Sequence, residues 1–233
     1  MKYEAIFFDL DGTLLPMDND EFTKGYLSML AKSVAPLGYC AETMIPAMWR
    51  GVGAMIKNTE ERLNSELFWE VFSKTLEKDC KDDIPKFDNF YKTDFKDAVR
   101  FTQPTPLAAN SVALARARAD KVVLATNPFF PLVAVEARLS WAGVDTKAFD
   151  LITHYDNSSR CKPNPAYYHE IAEKLGLDLT KCLMVGNNAE EDIRAAQAAG
   201  MSTFLLTDCL ICEGDMPDTP MGSFEELLEF LEK

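Results

Sequence analysis

Short apolar segments recur along the chain and give the clearest indication of its architecture. Five of them have strand length: residues 3–8, 121–125, 149–152, 181–185 and 202–206. Their apolar side chains run continuously instead of alternating with polar ones, which is typical of parallel strands covered on both faces. Helical patterns alternate with these segments from residue 106 onward, over residues 131–142, 164–175, 188–199 and 224–232. This alternation predicts a doubly wound, mainly parallel α/β sheet with right-handed crossovers.

The stretch between the first two predicted strands breaks the alternation. Apolar residues recur there at helical spacing over three segments: residues 21–35, 41–57 and 60–80. No convincing strand lies among them, and Pro104 and Pro106 close the stretch. We therefore interpret this part of the chain as a helical insert.

The first strand decides how this insert relates to the sheet. If the helices formed an independent N-terminal domain, residues 3–8 would remain a lone strand, which cannot form a sheet. The first strand must therefore join the later strands. We predict a core domain of residues 1–15 and 105–233, with a helical cap domain, residues 16–104, inserted into it.

Composition narrows the class of protein. The chain has 233 residues, 47% of them apolar, and a net charge of −13. That charge opposes binding of nucleic acid or anionic membrane through the general surface. No segment is apolar for long enough to span a bilayer, and the start Met1-Lys2-Tyr3-Glu4 is unlike a signal peptide. Six scattered cysteines suit reduced thiols better than a disulfide framework, so we expect a cytoplasmic protein.

Polar residues follow the predicted strands at their carboxyl ends, where open α/β sheets bind ligands. Asp9 and Asp11 follow the first strand, Thr126 and Asn127 the second, and Asn187 the fourth, while Lys162 lies after the third. Two nearby carboxylates can converge on Mg²⁺, which prefers oxygen ligands. One carboxylate can attack phosphorus and the other can transfer a proton. A threonine hydroxyl and a lysine can stabilise the charge of a phosphoryl group.

Four motifs in order carry a resemblance to a known family: Asp9-Leu10-Asp11-Gly12-Thr13, Ala125-Thr126-Asn127, Lys162-Pro163-Asn164-Pro165, and Gly186-Asn187-Asn188 through Asp192-Ile193. Together they resemble the haloacid dehalogenase-like hydrolase superfamily, in the branch with a helical cap between the first and second motifs. The resemblance implies a Rossmann-like core. It covers residues 1–15 and 105–208, whereas the cap is matched only by position and helical character.

The resemblance assigns a role to each motif residue. It implies that Asp9 is the nucleophile and Asp11 the general acid and base, with Thr126 and Lys162 as further catalytic residues. Asp11 also favours phosphoryl transfer over dehalogenation, because the dehalogenases of the family lack this aspartate and use no metal. The resemblance implies Mg²⁺ as cofactor, held by Asp9, the Asp11 backbone carbonyl and the fourth motif. Its substrate would be a small phosphorylated metabolite enclosed by the cap.

The fourth motif departs from the family pattern. It usually begins Gly-Asp, but here it reads Gly186-Asn187, so a metal-ligating acid is replaced by a neutral amide. Asn187 still offers a carbonyl oxygen, and Asp192 matches the later acid of the motif. We predict a Mg²⁺ site of Asp9, Asp11, Asn187 and Asp192 with working but weakened affinity.

Substrate contacts are expected from Thr126, Asn127 and Lys162, with Arg50 added by the cap. The segment Trp49-Arg50-Gly51-Val52-Gly53 is our candidate for the cap loop that determines specificity. The alternative for this segment is a helix boundary with a solvated arginine. His154 and Arg160 follow the third strand and could reach the rim of the site, although a solvated loop is the favoured interpretation of both.

The function predicted from the sequence is therefore a magnesium-dependent phosphatase that acts through a phosphorylated Asp9. Three alternatives stay open: a sugar-phosphate mutase, a phosphonate hydrolase, and a regulatory binding protein with weakened catalysis. A phosphonate hydrolase would need a cap lysine that forms a Schiff base, for which Lys24 and Lys57 are candidates. The protein could be a monomer or a homodimer.

Overall fold

A computed structural model describes residues 3–233; Met1 and Lys2, part of the predicted core domain and of the argument against a signal peptide, lie outside the described residues. Six parallel strands form one sheet, in the order β3-β2-β1-β4-β5-β6. The strands are β1 (Tyr3–Phe8), β2 (Ala119–Leu124), β3 (Leu151–Ile152), β4 (Cys182–Gly186), β5 (Ser202–Leu206) and β6 (Met221–Gly222). The predicted α/β fold class is confirmed.

The first strand in the sequence lies at the centre of the sheet. Ile6 of β1 pairs with Val122 of β2 on one side and with Leu183 of β4 on the other. The chain therefore builds the sheet outward from β1 in two directions. The strand order reverses between β1 and β4, and the crevice at the carboxyl ends of such strands is where doubly wound sheets bind ligands.

Helices cover both faces of the sheet. They are α5 (Pro106–Arg118), α6 (Leu132–Trp141), α7 (Ala166–Leu175), α8 (Ala195–Ala198), which continues a π-helical turn over Ala189–Arg194, and α9 (Phe224–Glu232). Side chains of β1 alternate between the faces, since Ile6 and Phe8 pack in one core and Ala5 and Phe7 in the other. The helix α9 begins with the capping box that Ser223 and Glu226 form.

The insert between β1 and β2 is helical, as the sequence predicts. Its helices are α1 (Asn19–Val34), α2 (Ala41–Ile56), α3 (Asn64–Leu76) and α4 (Ile84–Lys92), and a 3₁₀ helix, Asp94–Phe101, follows α4. The chain enters and leaves the insert side by side, because the amide of Gln103 donates to the carbonyl of Pro16 over 2.7 Å. The exact domain boundaries stay a prediction.

The insert packs closely on the sheet region through aromatic side chains. The ring of Trp141 on α6 lies 5.1 Å from that of Phe95, and Phe130 lies 5.4 Å from Tyr26 of α1. The buried apolar residues of the insert form one continuous core with one face of the sheet. The insert therefore packs against α6 and against the loop that follows β2.

Two further observations bear on the predictions from composition. Within residues 3–233, every helix is either too short or too polar to span a bilayer. All six cysteines are free thiols.

Candidate active site

The loop after β1 carries the two aspartates into the crevice. The amide of Asp9 donates to the carbonyl of Val185 over 3.0 Å, which extends the pairing of β1 with β4 by one residue. The chain then turns at Gly12, whose φ of +82° is a conformation that side chains disfavour. A Cβ at Gly12 would also lie 2.4 Å from Nδ2 of Asn187. Glycine is therefore required here both for the turn and for the close approach of Asn187.

Lys162 links two carboxylates at the floor of the crevice. Its side chain is 1% exposed, and Nζ lies 2.8 Å from Oδ1 of Asp9 and 2.6 Å from Oδ1 of Asp192. Burial alone would lower the pKa of Lys162, but the carboxylates of Asp192 and Asp9 outweigh it and hold that pKa well above its ordinary value. Lys162 is therefore a buried ammonium that offsets the charge of two acids.

Gly186 makes room for Asp192. A Cβ at Gly186 would lie 2.3 Å from the Asp192 carboxylate, so a larger residue would displace that acid. The backbone amide of Asn188 donates to Oδ2 of Asp192 over 3.0 Å. The end of β4 and the following turn thus fix Asp192 opposite Lys162.

The loop after β2 supplies Thr126 and Asn127. The carbonyl of Thr126 accepts hydrogen bonds from Thr153 Oγ1 (2.7 Å) and from the hydroxyl of Tyr167 (2.9 Å). Asn127 accepts a bond from the amide of Lys162 over 3.2 Å and donates to Oε2 of Glu191 over 2.9 Å. These bonds hold Thr126 in place at the crevice and tie the second, third and fourth motifs together.

Asn187 interacts with the first motif through Thr13. The hydroxyl of Thr13 lies 2.9 Å from Oδ1 of Asn187 and 3.3 Å from Oδ2 of Asp9, while Nδ2 of Asn187 donates to the carbonyl of Cys209 over 2.6 Å. The amide is thus held with its oxygen toward Asp9. Every residue that the sequence predicts from the four motifs is brought together in this crevice.

Arg138 is a residue of the site that sequence reasoning missed. Its side chain is fully buried on α6, and its guanidinium donates to Oδ2 of Asp11. Nε donates to the carbonyl of Ala134 over 3.1 Å, and the guanidinium lies 4.2 Å from the ring of Phe130. A signal was present, because Arg138 stands on the apolar stripe of α6, and a charge on such a stripe needs a buried partner.

The environment of Asp11 has opposing effects on its ionisation. Burial raises the pKa of Asp11, whereas the guanidinium of Arg138 lowers it. Its Oδ1 is buried without a hydrogen-bond partner among the described residues. Asp11 is therefore held by Oδ2, while its buried Oδ1 has no protein partner in the part of the chain that the structure describes.

The donor atoms suit a divalent cation in type. The four predicted metal ligands line one cavity, and each offers oxygen, which is the ligand type that Mg²⁺ prefers: Asp9, Asp11, Asn187 and Asp192. Among residues 3–233, no group of three His, Cys, Asp or Glu side chains is arranged to hold a metal ion. Asn187 is a neutral amide where the family pattern has an aspartate. These oxygen atoms could hold a divalent ion, with one negative charge fewer than the family pattern supplies.

The cavity above these residues has a volume of about 260 Å³. Its floor is polar and comes from the loops after β1, β2 and β4. Its walls are largely aromatic: Phe22, Tyr26, Trp49, Phe68, Trp69, Phe72, Phe87, Tyr91, Phe129, Phe130 and Tyr155. Eight of these side chains belong to the insert, so the insert contributes most of the apolar lining beside the polar floor.

The interpretation of residues 49–53 as a cap loop is wrong. These residues form the middle of α2, where apolar contacts on one helix face override the loop signal of the two glycines. Trp49 and Val52 line the cavity, whereas Arg50 is exposed and lies outside the lining. Gly51 allows close packing, because a Cβ there would lie 2.6 Å from the ring of Phe68.

The remaining candidates from the sequence lie away from the cavity lining. Arg160 donates to the carbonyls of Thr59 (3.0 Å) and Glu60, so it connects the core to the cap instead of extending into solvent. His154 accepts from the amide of Asp156 over 3.3 Å. Lys24 and Lys57 are exposed. None of these four side chains lines the cavity.

Comparison with known proteins agrees with this geometry. The sequence profile of the haloacid dehalogenase-like hydrolases matches residues 3–200. A phosphoglycolate phosphatase of Neisseria gonorrhoeae is 27% identical over 98% of this chain and 93% of its own length. A HAD phosphatase structure from Thermococcus onnurineus matches 99% of this chain and 98% of its own, with a TM-score of 0.59 and 20% identity.

A 2-haloacid dehalogenase from Pseudomonas syringae pv. tomato also shares the fold. It matches 99% of this chain and 98% of its own, with a TM-score of 0.64 and 20% identity. The fold alone therefore accommodates both phosphatases and dehalogenases. The profile match spans most of the chain and includes all four motifs assembled at the site. The chain belongs to the haloacid dehalogenase-like hydrolase family and is a hydrolase.

Proposed function

We propose that this protein is a magnesium-dependent phosphatase that hydrolyses a small phosphate monoester through a phosphorylated Asp9. The proposal rests on the buried Lys162, which lies between Asp9 and Asp192. Both aspartates line the same cavity as Asp11. A carboxylate whose charge is offset in this way can accept the approach of a phosphoryl dianion. Asp11 lines the same cavity, and its carboxyl group is the proton-transfer group that we propose.

The proposed reaction has two steps. In the first, a carboxylate oxygen of Asp9 attacks phosphorus, the bond from phosphorus to the ester oxygen breaks, and Asp11 gives its proton to the departing alkoxide. In the second, Asp11 takes a proton from water, the water oxygen attacks phosphorus, and the bond between Asp9 and phosphorus breaks. The products are an alcohol and inorganic phosphate, and both aspartates return to their starting states.

Each neighbouring residue supports these steps through a contact. Oδ1 of Asp9 is bound to Lys162, while Oδ2 receives only the long 3.3 Å contact from Thr13 within the described chain, so Oδ2 is the attacking atom we propose. Thr126 would donate to a phosphoryl oxygen, and Asn127 keeps Lys162 and Glu191 in register. Arg138 would hold Asp11 in its orientation toward the cavity.

Asp9, the Asp11 carbonyl, Asn187 and Asp192 are the residues that we propose hold Mg²⁺. The ion would supply positive charge for the phosphoryl oxygens. A neutral Asn187 supports the expectation of a weaker site than the family pattern gives. The cap closes over the cavity and would keep bulk water from the reaction.

The positions of the cavity residues also distinguish among the three alternative functions. A phosphonate hydrolase needs a lysine in the cavity, but Lys24 and Lys57 lie outside the lining. A regulatory binding protein has no need of an assembled Asp9, Asp11 and Lys162. A mutase shares all of these residues and is the second candidate. We also propose a cytoplasmic location, which the scattered free thiols support.

The test is release of inorganic phosphate from p-nitrophenyl phosphate with Mg²⁺, compared between the wild type and Asp9→Asn. We expect release by the wild type and a loss of about a thousandfold or more in Asp9→Asn, because an amide is a poor nucleophile. Equal release by both proteins would contradict the proposal. Formation of an isomer from a sugar phosphate without release of phosphate would identify a mutase instead.

A further inference from the structure

The cavity has two ends of different chemistry. All four carboxyl groups of the lining belong to residues that follow β1 or β4, and we call this part of the cavity the catalytic end. The insert contributes eight aromatic side chains together with Asn19 and Thr23, and we call this part the aromatic end. Trp49 comes from α2, and Phe68, Trp69 and Phe72 come from α3. A substrate whose phosphoryl group lies at Asp9 must therefore place its leaving group among aromatic rings.

Among the described residues, no positively charged side chain of the cavity lining is available to bind a second anionic group of the substrate. Among residues 3–233, the lining contains four carboxyl groups and no lysine or arginine. The nearby cations, Lys162 and Arg138, are buried and already bound to carboxylates at the catalytic end. A carboxylate or second phosphate at the aromatic end would lose its hydration without gaining a counter-charge.

The aromatic end is preorganised for an apolar group. The ring of Trp69 lies 5.2 Å from Phe68 and 5.5 Å from Phe72 in edge-to-face contacts, and Phe68 stacks on Phe72 at 5.7 Å. Such packed rings lose little conformational freedom when a ligand binds. No acidic side chain of the described chain lines this end to form an ion pair with a cationic group, because the carboxyl groups of the lining all follow β1 or β4.

We propose that the substrate is a phosphate monoester of a neutral, apolar alcohol whose leaving group is about one or two rings in size. A cavity of about 260 Å³ accommodates no more than that beside a phosphoryl group. This inference rests on the proposed phosphatase function and specifies its substrate class. It separates this chain from the relative named phosphoglycolate phosphatase, whose named substrate carries a carboxylate.

Three alkyl phosphates with leaving groups of different charge test the inference: 2-phenylethyl phosphate, phosphoglycolate and phosphocholine. All three are esters of aliphatic alcohols, which limits differences in intrinsic reactivity. We expect kcat/KM for 2-phenylethyl phosphate to exceed both others by about tenfold or more, as burial of one ring predicts. An equal or higher kcat/KM for phosphoglycolate or phosphocholine would overturn the inference.

A pair of variants on one helix locates the effect. Trp49 is 53% exposed and lines the cavity, whereas Ile56 is 40% exposed on the same helix α2 and lies outside the lining. We expect Trp49→Ala to lower kcat/KM for 2-phenylethyl phosphate by about fivefold and to leave phosphoglycolate within about twofold. Ile56→Ala should change neither. Equal losses for both esters in Trp49→Ala would argue against an apolar subsite.

Failure of the substrate class and failure of the phosphatase proposal give different results. If the enzyme hydrolyses phosphoglycolate or phosphocholine faster than 2-phenylethyl phosphate, and this activity depends on Asp9, the phosphatase proposal stands and the apolar substrate class is rejected. If neither these esters nor p-nitrophenyl phosphate are hydrolysed, the phosphatase proposal fails, and binding measurements then test whether the cavity prefers an apolar group. Calorimetry would then compare 3-phenylpropylphosphonate with 3-phosphonopropionate, and tighter binding of the second would reject an apolar cavity as well.

Discussion

Arg138 holds the side chain of Asp11, the residue that we propose as the general acid and base. A buried guanidinium is stable only with partners, and here it binds Asp11, the carbonyl of Ala134 and the face of Phe130. Each contact fixes the plane of the guanidinium, so the Asp11 carboxylate is oriented as well. Arg138 itself lies outside the cavity lining, and we therefore describe it as a positioning residue.

We predict that Arg138→Leu lowers kcat by about tenfold or more with little change in KM, because Asp11 loses its orientation while the cavity wall is unchanged. Unfolding free energy should fall by about 3 kcal/mol, because Asp11, whose side chain is 24% exposed, loses its charged partner. Arg138→Lys should recover part of kcat. Steady-state kinetics and denaturant unfolding provide the readouts.

A second arginine–aspartate pair provides the control for this prediction. Arg116 binds Asp150 at the surface, where the arginine side chain is 42% exposed. Arg116→Leu should leave kcat unchanged because that pair lies away from the cavity. A fall in kcat equal to that of Arg138→Leu would show that the loss is a general consequence of removing an arginine.

Asn187 is the residue through which the Mg²⁺ affinity of the proposed metal site can be changed. Asn187→Asp restores a carboxylate beside Asp9, so we expect half-maximal activity at a Mg²⁺ concentration about tenfold lower. The carboxylate can no longer donate to the carbonyl of Cys209, and we expect a loss of about 1 kcal/mol in unfolding free energy. A magnesium titration of activity measures the first effect, and denaturant unfolding the second.

Asn188→Asp adds the same charge one residue further along and is the matched comparison. Its side chain caps the following turn by accepting from the amides of Glu190 and Glu191, which an aspartate does equally well. It should shift the magnesium titration less than Asn187→Asp does. An unchanged titration in Asn187→Asp would reject Asn187 as a metal ligand.

The sequence was sufficient to predict which residues gather at the strand ends, but not which residues contact them from elsewhere in the fold. Asp9, Thr126 and Asn187 follow buried apolar runs, so the parallel sheet alone brings them together. Arg138 reaches Asp11 from the middle of a helix, and no local pattern indicates which partner a buried charge will find. Arg50 and Trp49 are adjacent, and only the rotation of α2 decides which of them lines the cavity.

Within the cap, a cluster around Asp83 joins the ends of several helices. Its carboxylate accepts from Lys78, Lys86 and the hydroxyl of Tyr39, each over 2.8 Å. The lysine and tyrosine hydrogen bonds hold the pKa of Asp83 well below its usual range. The cluster therefore fixes the turn between α1 and α2 against the start of α4.

We predict that Asp83→Asn lowers the unfolding free energy by about 1 kcal/mol at pH 7. The value is small because Lys78 and Lys86 are 39% and 52% exposed and solvent screens their charge. A depressed pKa in the folded state adds stability above the unfolded carboxyl pKa of about 3.9. The difference between wild type and variant should therefore shrink as the pH falls below about 4.

Denaturant unfolding at several pH values checks this prediction, with the exposed neighbour Asp82→Asn as control. Asp82→Asn should leave stability unchanged across the range. A difference between wild type and Asp83→Asn that persists unchanged at pH 3 would contradict an electrostatic origin.

The elements that the sequence missed are those with weak local signals. The strand β6 has only two residues, Met221–Gly222, and owes its existence to pairing with β5. The helix predicted over 188–199 begins as a π-helical turn, Ala189–Arg194, because its first residues must also bring Asp192 beneath Lys162. Tertiary contacts thus override local propensity at both places.

At the scale of the whole molecule, charge and enclosure act in opposite directions on substrate binding. The protein carries a net charge of −13, which repels phosphorylated molecules at long range. Within the cavity, Lys162 and Arg138 offset the carboxylates, and the cap replaces solvent with aromatic surface. A substrate with one phosphoryl group and an apolar remainder is therefore expected to gain most from entering the closed site.

The central claim is that Asp9 becomes phosphorylated, and mass spectrometry of the acid-quenched enzyme tests it most directly. Asp11→Asn, which lacks the base for the second step, should be mixed with p-nitrophenyl phosphate and Mg²⁺, quenched and digested. We expect one phosphoryl group on the peptide that contains Asp9, and none when Asp9→Asn is added to the same protein. A phosphoryl group on another residue, or phosphate release by Asp9→Asn at the wild-type rate, would contradict the account.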